Sequence, residues 1–189
     1  MALGLAACGR TGPAVEQTRV ARTFTEWKQA MLDRQFDQAV ARIAHPADAY
    51  LAGLDSAPAA NRATSSTPGV DLLLHTALEQ KIPADLRSHL TIGDLVRHVA
   101  DHHLFNPRDV QQLSLGPVSV DGDNASAQIY YAGTLTALRL PFLKEGGAWK
   151  IDLLGLLPYV ETLMRVDRAI KRETVTQQVD QLVSKLPPL

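Results

Sequence analysis

The chain has 189 residues, 46% of them hydrophobic and 21% charged, with a formal net charge of -1 at pH 7. This size and balance fit one globular domain with a single core. They exclude the basic footprint of a nucleic-acid binder, because the Lys and Arg residues are scattered along the chain. The single cysteine excludes an internal disulfide, so outside the cytoplasm the domain would depend on packing for its stability.

In chain order, the first informative segment is Leu5-Ala6-Ala7-Cys8, followed by Gly9. It resembles the cleavage and lipidation box of bacterial lipoproteins. The resemblance implies cleavage before Cys8, acylation of that residue and membrane attachment through it. Two or more acyl chains give stable anchoring without a transmembrane helix. Downstream, no run approaches the roughly 18 apolar residues needed to span a bilayer. Met1 to Ala7 carries no basic residue and is at the short end of an export signal, so a start codon further upstream is expected. The expected location is the cell envelope, on the periplasmic face of a bacterial membrane. Gly9 is not the Asp associated with inner-membrane retention, which favours the outer membrane.

Residues 1–17 thus read as a truncated signal and tether. From Thr18 onward, Val20, Phe24, Trp27 and Met31 recur at helical spacing on one face. The stripe breaks at Asp33-Arg34-Gln35 and resumes with Phe36, Val40 and Ile43, a short helix ending before His45-Pro46. Ser56 to Gly69 has no periodicity and reads as a loop. Pro68 to Gln80 supplies a helix, and Thr91 opens another, with Asp94 placed for a capping box and Ile92, Leu95, Val96 and Val99 on one side. Asn106-Pro107 ends it.

The apolar period then changes from helical to two. Leu113 and Leu115 alternate with polar residues, Gly116-Pro117 shifts the parity at an expected bulge, and Val118 and Val120 continue the strand. Asp121 to Asn124 reads as a hairpin turn. Strands over 125–132, 135–144 and 148–154 follow with short connections, which forces antiparallel neighbours. Ile129 and Tyr131, then Leu138, Leu140 and Phe142, then Trp149, Ile151 and Leu153 share the covered face. Pro158 opens a C-terminal helix expected to reach about Lys185. It carries two rotated stripes: Val160, Leu163, Met164 and Ile170, then Val175, Val179, Leu182 and Leu186. The first is expected to pack on its own domain. The second packs on the same domain, or docks on a protein partner or a second copy.

The phrase Met31-Leu32-Asp33-Arg34-Gln35-Phe36-Asp37 in a helical N-terminal half precedes a meander ending Phe142-Leu143-Lys144-Glu145-Gly146-Gly147-Ala148-Trp149-Lys150-Ile151-Asp152. Together they resemble nuclear transport factor 2-like domains, over roughly residues 18–157. The resemblance implies an α+β cone, with N-terminal helices packed on a curved four-stranded antiparallel sheet and a pocket within. Residues 158–189 add the C-terminal helix. The loop 56–69 and that helix depart from the compact family pattern. Tyr131, Leu138, Leu140, Phe142, Trp149 and Ile151 are the expected pocket lining.

Enzymes of that fold use acidic and aromatic groups projecting into the cone, but here the inner strand face offers no Asp or Glu, leaving any general base to the helices. Asp94, His98 and His102 form a column four residues apart, with His103 beside it. His103 points into the apolar face, and no Glu or Cys accompanies the histidines, so a metal site is not expected. No cofactor is expected either. Cys8 would be blocked by acylation, Asp121 to Asn124 lacks the acids of a calcium cage, and Gly146-Gly147 is a turn rather than a phosphate cradle. The expected role is non-catalytic binding of a small apolar ligand or an envelope protein partner. The alternatives are a pocket isomerase, dehydratase or hydrolase acting through His102, His103 and Tyr131, or a structural subunit.

Overall fold

The computed structural model describes residues 12–55, 68–87, 89–102 and 106–188. Cys8, the signal reading, most of the loop 56–69 and His103 lie outside the described residues. The first helix, α1, spans Pro13–Leu32 and starts earlier than the apolar stripe suggests, because Pro13 suits the first helical position. Its first turn is anchored: Glu16 is buried. Val20, Phe24 and Met31 are buried as the spacing predicts, and Arg34 ends the run in the left-handed region at φ 58°.

Three further helices, α2 (Phe36–Val40), α3 (Pro46–Asp55) and α4 (Gly69–Lys81), follow. Residues 41–44 run alongside the sheet: Ile151 N–H donates to Arg42 O at 2.7 Å, and Ala44 N–H donates to Ile151 O at 2.9 Å. This lateral bridge was not visible in the periodicity. The Tyr50 hydroxyl donates to Asp71, tying α3 to α4. After the single turn α5 (Ala84–Arg87) comes α6 (Ile92–Asp101), where both bonds of the Thr91–Asp94 capping box form. The helix opened by Thr91 ends at Asp101, before Asn106-Pro107, and Asn106 caps another short helix, α7 (Pro107–Gln112).

The strands β1 (Leu113–Asp121), β2 (Asn124–Tyr131), β3 (Thr134–Glu145) and β4 (Ala148–Ile151) form one curved antiparallel meander in sequential order. The register shifts between Leu115 and Val118, at the expected bulge, and again between Gln128 and Tyr130. At Gly116 a Cβ would meet the Tyr130 ring at 2.7 Å, so this bulge position accommodates the ring only as glycine. The inner face of the sheet packs on Val20 and Phe24.

The long C-terminal helix α8 (Leu157–Lys171) stops at Arg172, which adopts φ 58°, and a separate helix α9 (Val175–Ser184) begins with its own Thr174–Gln177 capping box. The two apolar stripes therefore belong to two helices. Val179 and Val183 of α9 are buried with Met164 of α8 against Val70 and Leu72 of α4, a second core beside the sheet. Leu163, Val166 and Ile170 of α8 instead face outward, with Ile170 77% exposed. The later stripe thus packs on its own domain, and the earlier one contributes mainly Met164. Among the described residues no helix is long and apolar enough to cross a membrane.

Candidate functional site

The side chains expected to line a cone pocket are packed into the core. Leu140, Phe142, Trp149 and Ile151 are all buried, with Leu138 packed beside them against the α1 stripe. Alternation placed them on the covered face correctly, but α1 lies directly on that face and fills it. Tyr131, at the end of β2, is 39% exposed. Its hydroxyl donates to Asp109 of α7 at 2.7 Å, and this bond to a carboxylate holds the phenol above its ordinary pKa.

The histidine column exists as a helix face, without converging on a ligand. Asp94 is committed to the cap: Thr91 Oγ1 donates to Asp94 Oδ2 at 2.7 Å, the Thr91 N–H at 3.0 Å, and Arg97 lies 3.2 Å from the other oxygen. Those bonds hold the Asp94 carboxyl below its ordinary value. The rings of His98 and His102 stand 4.3 Å apart at 48°. Desolvation, aided by the charge of His102, lowers the pKa of His98. Among the described residues no group of three or more His, Cys, Asp or Glu side chains could hold a metal ion. The Tyr131 hydroxyl is engaged with Asp109, not with His102.

An apolar cavity of about 220 Å³ does form, between helices rather than under the sheet. Leu51 of α3, Leu74 and Leu78 of α4, Ile82, and Leu95 and Val99 of α6 make its walls. Leu186 and Pro187, beyond α9, complete it, with Lys81 and His98 as its polar members. Geometry explains the location. The apolar side of α6 is broad: Val96 packs with Met31 and Ala39, while Ile92 and Leu95 pack with Leu51, Leu78 and Ile82. Val99 is left at the opening, 38% exposed. The α6 stripe was legible in the sequence. That it would face a hollow closed by residues almost ninety positions later had no local signal.

No protein-family model matches the sequence, and neither does any curated protein. One solved structure to which the chain is similar is a phospholipid-binding protein from Ralstonia solanacearum, determined in complex with a phospholipid. The two share 15% identity over 90% of this chain and 97% of that one, with a TM-score of 0.36.

Proposed function

We propose that this protein binds a small apolar ligand without transforming it, in the cavity between α3, α4 and α6. The observation that carries this reading is the chemistry of the walls: aliphatic side chains on all sides, with Lys81 and His98 the ionisable members. A cavity of about 220 Å³ lies between the ~150 Å³ that accommodates benzene and the ~300 Å³ lower limit of drug-sized pockets. The matching class is a compact aromatic or a short acyl chain. Among the described wall residues no carboxylate, hydroxyl or thiol accompanies Lys81 and His98, which favours binding over the isomerase, dehydratase or hydrolase alternative.

The same reading places the domain in the cell envelope, lipid-anchored through Cys8; the Leu5-Ala6-Ala7-Cys8 box supports it. The α+β layout of helices on a curved four-stranded meander agrees with a nuclear transport factor 2-like scaffold. Two experiments test the two parts. Titration with N-phenyl-1-naphthylamine is expected to give saturable one-to-one binding that Val99→Trp abolishes; unsaturable binding or an indifferent variant contradicts it. Cys8→Ser is expected to shift the expressed protein from membrane to soluble fractions, and an unchanged distribution removes the anchor.

A further inference from the structure

A second cavity, of about 400 Å³, opens where the N-terminal half of α1 meets the end of α2 and the turn between β3 and β4. Its character is opposite to the first. Arg19, Arg22, Arg42 and Lys150 line it, and among the described residues of its lining Glu26 is the only carboxylate. In a chain of net charge -1 this is a local concentration of positive charge.

The arrangement is built by the fold. Glu26 lies between two guanidinium groups, 2.9 Å from Arg42 Nε and 3.6 Å from Arg22 Nε. It therefore fixes their stems while neutralising one charge of the two. The Arg42 Nε–H is buried and not aligned for a hydrogen bond to that oxygen. Arg42 reaches the site because residues 42–44 bridge to Ile151; Lys150 borders the cleft, but its ammonium donates to Ala41 O, outside the cleft lining. Arg19 is 2.8 Å from Glu16, whose other oxygen accepts from Lys144 at 3.0 Å, so that carboxylate is shared and does not cancel the cleft. Glu145, which accepts from the His45 N–H at 3.1 Å, lies within reach of the Lys150 charge.

Glu26 cancels one of the three guanidinium charges drawn from α1 and the α2–α3 connection, and the others repel one another unless a further anion sits among them. Forked guanidinium donors suit a tetrahedral oxyanion with two or more acceptor oxygens. The volume exceeds that of a bare ion and falls within the range of organic ligand sites. We propose that this cleft binds the phosphate group of an organic phosphate, a site separate from the apolar cavity and independent of it.

The test uses the full chain at low ionic strength with two probes, inorganic phosphate and vesicles of phosphatidylcholine with or without phosphatidic acid. Phosphate is expected to bind saturably where sodium chloride at matched ionic strength does not. Arg22→Gln and Arg42→Gln are each expected to weaken it about tenfold or more. Arg22 is 71% exposed, so its replacement leaves the fold intact, and thermal unfolding checks this. Arg139→Gln, on the β3 strand outside the cleft, should change nothing. Saturable binding of free phosphate identifies a soluble ligand. Flotation with phosphatidic acid vesicles alone, lost in both cleft variants, identifies a lipid headgroup. No saturable binding of either probe, or binding that Arg22→Gln and Arg42→Gln leave unchanged, overturns the proposal.

Discussion

The indole N–H of Trp149 on β4 donates a 2.7 Å hydrogen bond to Glu16 Oε2 on the first turn of α1, and both residues are buried. The Thr23 hydroxyl donates to the Trp149 carbonyl at 3.2 Å, and Lys144 and Arg19 also pair with the Glu16 carboxylate. This polar clamp fastens the long helix to the edge of the sheet. Removing one member of a buried charged set leaves the others desolvated, which typically costs several kcal/mol. Glu16→Ala is therefore expected to lower stability by about 3 kcal/mol, and Trp149→Phe, which removes the hydrogen bond and part of the buried ring over which Lys144 stands, by about 2 kcal/mol. Urea unfolding of both variants and the double variant measures this, and purely additive effects would argue against the clamp.

The Thr91–Asp94 cap gives a pH dependence of definite sign. Its hydrogen bonds hold the folded-state pKa of Asp94 below the unfolded value of 3.8. The stabilisation is therefore fully present above pH 3.8 and disappears as pH falls through the lower folded value. Thr91→Ala is expected to cost about 1 kcal/mol at pH 6 and less at pH 2.5. Parallel denaturant titrations at the two pH values check it; a penalty that grows in acid contradicts the assignment.

The two faces of α8 should respond differently to truncation. Met164 is buried against α4 and α9, so Met164→Ala is expected to cost about 2–5 kcal/mol, whereas Ile170→Ala should change stability by less than about 0.5 kcal/mol. Calorimetric unfolding distinguishes them. Removing residues 174–189 is accordingly expected to destabilise the domain itself, not merely to dissociate an oligomer. A fully stable truncated chain would show that α9 is an independent docking element.

The segment Leu186-Pro187 forms part of the apolar cavity beside His98. Desolvation and the charge of His102 lower the His98 pKa, so the folded arrangement favours the neutral ring. Its contribution is complete above the ordinary value of 6.5 and is lost as pH falls through the lowered folded value. Binding of N-phenyl-1-naphthylamine should weaken over that acid range, and His98→Gln should flatten the profile. Ending the chain at Lys185 should speed association and reduce affinity, read by stopped-flow fluorescence.

Local chemistry made much of the fold legible. Val20, Phe24 and Met31 marked the buried side of α1, the spacing of Thr91 and Asp94 marked a real cap, and Gly116-Pro117 marked a real bulge. Alternation put Phe142, Trp149 and Ile151 on the covered face, but it could not show whether that face encloses space or solid packing. Arg172 gave no warning of its positive φ, because the residue carries none of glycine's preference for that region, so two helices read as one. The cleft guanidinium groups looked scattered because they come from positions 19, 22 and 42. Only the lateral bridge from Arg42 to Ile151 assembles them.

The central claim concerns where an apolar molecule goes, and methyl-resolved NMR of the full chain during titration with N-phenyl-1-naphthylamine tests it most directly. Saturable shifts confined to Leu51, Leu74, Leu78, Leu95 and Val99, with Leu140 and Ile151 unmoved, are the expected result. Shifts centred on the sheet core, or none anywhere, would contradict it.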